Sequence, residues 1–288
     1  MRPIPVVFHI GPLQIHTYGI GLAVTFWFAY RYFGRRLRDN GYPTGWLPTA
    51  FVWIIITSIA GARAVHVVAN WSFYHQNLGD ILAVWHGGLS SFGGLAGGLA
   101  VGIWQVRRGC PELKVSRALD LVAPVLMAAW AMGRLLGPQL MVAGGGRPTS
   151  SWYGMYYADQ VGRRLPAPIF QAIESFAVFL LLLRLEKWAT ERRASGTPIP
   201  DGMVVAGMFA FWGAARFFDE LFWLDVNPPF DAVEVTGIVL SVLGFVAMLL
   251  LWRRTTRSPR NAAVEAEDAS ARESQAAAVD ARADGTSE

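Results

Sequence analysis

Residues 46–69 read WLPTAFVWIIITSIAGARAVHVVA. A membrane-spanning helix needs roughly 20 mostly apolar residues, and this run supplies them with one charge, Arg63, inside it. Six more segments share the pattern, at roughly 15–33, 88–106, 117–136, 167–186, 202–222 and 232–252. Over all 288 residues, 53% are hydrophobic and 16% charged, whereas soluble domains are about 25% charged. The expected fold class is therefore an all-α membrane protein with seven transmembrane helices. Residues 1–253 would form the membrane domain. Residues 254–288 contain no aromatic residue and are rich in Ala, Glu, Asp, Arg and Ser, so they read as a disordered cytoplasmic tail. The first apolar segment has only Arg2 ahead of it and no small-x-small site after it. It reads as a retained span and not as a cleaved signal.

Basic residues orient the spans, because Lys and Arg collect on the cytoplasmic side. They follow the first, third, fifth and seventh segments, as in Arg31, Arg35, Arg36 and Arg38 after the first. Of the 25 Lys and Arg residues, 18 fall on that side, and four (Arg2, Arg147, Arg163 and Arg164) fall on the other. The expected topology has the N-terminus outside and the C-terminus in the cytoplasm. The net charge of +4 is then a topological signal that also favours anionic lipid. No nucleic-acid motif is present. One cysteine, Cys110, excludes a disulfide framework and a cysteine zinc site. Five histidines give little support for any metal, and no cofactor is expected.

Seven charges remain in or beside the spans: Arg63, Asp120, Arg134, Glu174, Arg216, Asp219 and Glu220. Each is costly in hydrocarbon unless it faces a partner or a cavity, so each is either a functional group or half of an internal ion pair. Arg216 and Glu220 are four apart and share a helix face, with Asp219 three away from Arg216. In the expected topology, Arg63, Arg134 and Arg216 all lie in the outer halves of their spans. Guanidinium groups stay charged when buried and bind phosphate through two parallel hydrogen bonds. Three of them at the outer-leaflet level point to a phospholipid headgroup. Glycines at 93, 94, 97, 98 and 102 form overlapping small-xxx-small pairs. These suit close helix packing or room for acyl chains. The outer segment 137–166 is long for a loop and holds the aromatic run Trp152-Tyr153-Gly154-Met155-Tyr156-Tyr157. It reads either as an interfacial anchor or as a binding element.

Several stretches carry a family likeness. Ile10-Gly11-Pro12 with Ile15-His16-Thr17-Tyr18-Gly19 resembles the N-terminal motif of the prolipoprotein diacylglyceryl transferases. Gly61-Ala62-Arg63, Trp85-His86-Gly87-Gly88-Leu89-Ser90, Asp120 with Ala123-Pro124, Gly133-Arg134-Leu135, and Gly213-Ala214-Ala215-Arg216 with Glu220 follow in the family's order. The likeness runs over roughly residues 8–252.

The resemblance implies a bacterial inner-membrane, multi-pass enzyme. Its substrates would be phosphatidylglycerol and the signal peptides of preprolipoproteins. The diacylglyceryl group would pass to the lipobox cysteine thiol, leaving glycerol phosphate and forming a thioether. Tyr18, Arg134, Gly146 and Arg216 match residues that the family needs, and Glu220 matches a supporting acid. Arg134 and Arg216 would hold the phosphate and stabilise the leaving group, with Tyr18 donating a hydrogen bond at the headgroup. Arg63, Gly146, Glu220, Gln139, Glu174 and His86 are the further candidates for substrate binding.

The chain also departs from the family pattern. Phe92 stands where the family often has a histidine, Gln139 lies where an asparagine is usual, and Gln171 aligns with a glutamate. Two alternatives to the enzyme stay open: a catalytically impaired homologue that binds phospholipid or lipoprotein signal segments, and a lipid transporter. A transporter would be expected to show internal repeats, and the spans show none.

Overall fold

The computed structural model describes residues 7–10, 13–83, 88, 90–137, 140, 144–222 and 234–255. Side chains before residue 17, and those of residues 91, 92 and 220–222, are outside that description. His86, Gln139 and nearly all of the expected tail fall outside it too.

The chain opens with a hairpin of β1 (Val7–Ile10) and β2 (Leu13–His16), antiparallel with Val7 opposite His16. Helices follow: α1 (Thr17–Asp39), α2 (Leu47–Ala69), the short α3 (Trp71–Tyr74), α4 (Ser91–Gly109), α5 (Val115–Leu136), α6 (Ala167–Ala194), α7 (Met203–Phe222) and α8 (Glu234–Thr255). A 3-10 turn covers Leu78–Leu82. The seven long helices stand where the seven apolar segments lie. The expected ends need correction. The first segment, expected to start at 15, begins as a helix at Thr17, because residues 13–16 are strand β2. At the other end α1 runs on to Asp39, past its arginines. Helix α6 likewise continues to Ala194. Hydropathy stops at the first charges, but Arg, Leu, Glu and Ala are good helix formers and carry the backbone further.

Among the described residues, four helices are long and apolar enough to cross a membrane: α2, α5, α6 and α8. Burial shows their solvent. In the most apolar window of α8 the mean hydropathy is 2.4, yet only 11% of it is buried inside the protein. Large apolar side chains such as Trp27, Val68 and Leu95 point outward at more than 60% exposure. A water-facing surface so apolar would drive association, whereas lipid tails match it. The protein is an all-α membrane protein with one short hairpin.

Glycines set the closest helix contacts. Gly61 and Gly93 pack backbone to backbone, and Gly97 lies on the Thr57 carbonyl, so the glycine stripe of α4 faces α2. A Cβ at any of the three would clash with backbone. Packing, and not room for acyl chains, therefore accounts for this face. Gly213 and Gly237 join α7 to α8 in the same way, and Ser241 donates its hydroxyl to the Ala210 carbonyl at 2.9 Å.

Helices α1 and α5 are antiparallel. Gly21 packs on the Leu136 carbonyl at one end, and Arg36 Nε donates to the Leu121 carbonyl at 2.8 Å at the other. Arg36 also pairs with Glu186 of α6 at 2.6 Å, both side chains being largely buried. A buried cluster of Ala123, Met127, Val178, Leu182, Val204 and Met208 then joins α5, α6 and α7.

Candidate functional site

Three helices bring charged and polar groups together at one end of this core. Helix α5 contributes Arg134, α6 contributes Gln171 and Glu174, and α7 contributes Arg216 and Asp219. Gln171 and Glu174 are three apart, so both point from one face of α6. Their side chains lie beside the Asp219 carboxylate, and Arg134 acts on it electrostatically. Arg216 Nη1 donates to Asp219 Oδ2 at 2.8 Å, with 14% and 2% of the two side chains exposed. In so dry a place an unpaired guanidinium would be strongly disfavoured, and the short ion pair offsets that cost.

Arg134 is held in another way. Its guanidinium sits 5.2 Å from the centre of the Trp130 ring, one turn earlier on α5. Trp130 in turn meets Trp212 of α7 edge to face, with ring centres 5.1 Å apart. A guanidinium stacked on an aromatic face presents its N–H groups at the edge, which suits an oxyanion.

The sequence grouped Arg63 with these two arginines, and the structure shows what Arg63 holds. It is buried, and its guanidinium donates to the carbonyls of Asp80, Ile81 and Gly88. The Tyr74 ring lies 5.2 Å from it. Arg63 thus fastens the segment that leads from α2 into α4. Gly88 has φ +71, and a Cβ there would strike His66 and Arg63. Ser90 N–H closes the same segment onto the Ala62 carbonyl at 2.9 Å.

Tyr18 stands in the first turn of α1. It is one turn before Gly21, which packs on Leu136, so Tyr18 lies at the Arg134 end of the bundle. Gly146 is buried in the α5–α6 loop, where its N–H donates to the Leu165 carbonyl at 2.9 Å and its carbonyl accepts from Arg164 at 3.3 Å. Next to it, the Gln160 side chain clasps both backbone groups of Gly145, at 2.7 and 3.1 Å. The Tyr157 hydroxyl is buried there with no hydrogen-bond partner among the described residues, and burial pushes it up to about 12. Glu220 lies in α7 with its side chain outside the description, as does that of Phe92 in α4.

Two roles escaped the sequence. The reading placed Glu220 on the face of Arg216 and Asp219 three residues from it, and the structure pairs Arg216 with Asp219. Positions three and four apart both reach along a helix, and spacing alone does not choose between them. The Trp130–Arg134 stack is written in the sequence as an aromatic residue four before a cation, a signal diluted by the many other aromatic residues of the spans. Glu234, only 2% exposed at the start of α8, is a further acid that the sequence reading did not single out.

Comparison with known proteins gives the family. The model of prolipoprotein diacylglyceryl transferase matches residues 5–254. The chain belongs to the prolipoprotein diacylglyceryl transferase family. Its relatives include proteins named phosphatidylglycerol–prolipoprotein diacylglyceryl transferase. The one from Tolumonas auensis is 30% identical over 88% of this chain and 97% of the relative. Those from Lactiplantibacillus plantarum and Symbiobacterium thermophilum are 27% and 28% identical, over 87% and 90% of this chain and 89% and 97% of the relatives. Membership of this transferase family fits an apolar bundle with guanidinium groups gathered at one end.

Proposed function

We propose that the chain is a phosphatidylglycerol–prolipoprotein diacylglyceryl transferase of a bacterial inner membrane. It crosses the bilayer seven times, with the N-terminus outside and the C-terminus in the cytoplasm. The observation that carries the reading is the pairing of Arg134 and Arg216 around one small buried cluster. Family membership and the arginine-rich cytoplasmic collar support it.

Phosphatidylglycerol enters from the outer leaflet, with its phosphodiester between Arg134 and Arg216 and its headgroup towards Tyr18. The thiolate of the lipobox cysteine attacks the glyceryl carbon that bears the phosphate oxygen. A carbon–sulfur bond forms as the carbon–oxygen bond breaks. Glycerol phosphate leaves with the bonding electrons, and the diacylglyceryl thioether remains on the signal peptide. Charge builds on the leaving phosphate, where guanidinium donors placed beforehand in a dry site are most effective. The thiol must lose a proton to react. Glu174 and Asp219, beside the arginines, are the carboxylates at hand to accept it. Gly146, Gln139, Glu220 and His86 remain candidates for contacts with the two substrates, and Arg63 for support of the segment between α2 and α4.

Phe92, in place of the family's frequent histidine, favours a second reading: a homologue that binds phospholipid or lipoprotein signal segments without transfer. One experiment separates the two. A strain depleted of its own transferase receives the wild-type chain, Arg134→Ala or Arg216→Ala. Rescue by wild type alone supports transfer. No rescue, together with no incorporation from labelled phosphatidylglycerol into a lipobox peptide, rejects it in favour of binding.

A further inference from the structure

The first four N–H groups of a helix have no partner inside it. At the start of α7 three backbone donors are satisfied by one residue of another helix. Gly202 N–H donates to Asp120 Oδ2 at 2.8 Å, and Val204 and Val205 N–H donate to Asp120 Oδ1, both at 2.9 Å. Asp120 is fully buried in α5. Gly202 has φ +103, open to glycine and strained for other residues, so the chain turns into α7 just where the carboxylate waits. The sequence left two uses for this acid, ion pair or functional group. Its bonds are instead those of a helix cap delivered from 82 to 85 residues away.

The register continues along both helices. Gly202 is offset from Asp120 by 82 residues. Trp130 and Trp212, which touch edge to face, have the same offset. So do Arg134 and Arg216. Fourteen positions after Asp120 stands Arg134, and fourteen after Gly202 stands Arg216. At 1.5 Å per residue both arginines lie about 21 Å from the cap. Two parallel helices pinned at one end and equal in length from the pin bring their arginines to one height.

We infer that Asp120 is a positioning residue that sets the axial register of α7 on α5 and thereby levels Arg134 with Arg216. It touches no substrate. This rests on the proposed function only in what the levelled arginines bind, since the register is a property of the fold. A slip of one helical turn would move Arg216 by about 5.4 Å along the axis, enough to deny a single phosphate both guanidinium groups.

The test uses the full chain in nanodiscs, with spin labels on cysteines replacing two exposed residues, Leu126 of α5 and Phe218 of α7. The distance between labels is measured in the parent, in Asp120→Ala and in Asp120→Asn. Transfer from phosphatidylglycerol is measured in unlabelled protein. Asp120→Ala is expected to shift or broaden the distance and to lower kcat/KM for phosphatidylglycerol by about a hundredfold, as misplacement of about 1 Å can do. Asp120→Asn keeps an acceptor for Val204 and Val205 but loses the one for Gly202. It is expected to fold, to broaden the distance less and to retain more turnover. Should Asp120→Ala not fold, Asp120→Asn decides alone. Parental distances in every folded variant overturn the inference. A parent that transfers nothing while the distances shift rejects the functional reading and upholds the register.

Discussion

Arg216 and Asp219, one turn apart on α7, form a buried ion pair of 2.8 Å. The arginine proposed to hold the lipid phosphate is thus already held by a carboxylate of its own helix. A phosphodiester has to compete for that guanidinium, and Asp219 both stabilises the lipid-free site and opposes its filling. Asp219→Asn separates the two effects. Its melting temperature without lipid should fall, because breaking a buried pair exposes Arg216 to an uncompensated burial cost. Added phosphatidylglycerol should raise the melting temperature more than in wild type, and KM should drop by about tenfold, the scale of one charge-assisted hydrogen bond. Equal lipid-dependent shifts in the two proteins would contradict the competition.

Trp130 orients Arg134 by stacking, and cation–π contacts contribute about 0.5–2 kcal/mol. Trp130→Ala should raise KM for phosphatidylglycerol by roughly 2- to 30-fold on that scale. Trp130→Phe, which keeps a ring face, should restore part of the loss. Steady-state kinetics on the three proteins checks the order.

Arg63 grips three carbonyls of the segment before α4. Arg63→Ala should speed amide hydrogen exchange at Ala83 and Ser90 by about 10- to 100-fold, since hydrogen bonds to charged groups are worth about 1.5–3 kcal/mol each. Arg63→Lys should rescue little, because an ammonium lacks the planar fork. If Arg63 serves phosphate instead, the lipid-dependent thermal shift will vanish while exchange stays unchanged.

Tyr157 couples the α5–α6 loop to pH. Its hydroxyl is raised to about 12 by burial, from 10. Between these values the unfolded loop has lost a proton that the folded loop keeps, so stability falls as pH rises from 10 to 12 and is unaffected by this group below 10. Tyr157→Phe should abolish that dependence. It should cost little at neutral pH, because the hydroxyl has no hydrogen-bond partner among the described residues. Proteolysis of the loop against pH measures both.

Apolar run length sufficed for the seven long helices, because a run of about 20 apolar residues is also long enough for more than five helical turns. It did not show the paired strands at residues 7–10 and 13–16, because four-residue strands held by backbone hydrogen bonds leave too short an apolar pattern to read. Arg134 and Arg216 were legible as charges that hydrocarbon would reject. Arg63 looked equivalent, since the sequence does not tell a guanidinium facing a ligand from one facing backbone carbonyls brought in from Asp80 to Gly88. Asp120 was obscure for a related reason. Its partners are main-chain N–H groups 82 or more residues away, and such groups carry no sequence signature.

Arg134 and Arg216 are proposed to act together on the phosphate of a lipid undergoing transfer. The most direct measurement is the transfer of labelled diacylglyceryl from phosphatidylglycerol to a lipobox peptide, using purified wild type, Arg134→Ala, Arg216→Ala and the double variant. Wild type should transfer, each single variant should lose about a hundredfold or more, and the double should lose little further, because groups acting as a unit are not additive. Wild-type rates in either single variant, or no transfer by wild type, would contradict that joint action.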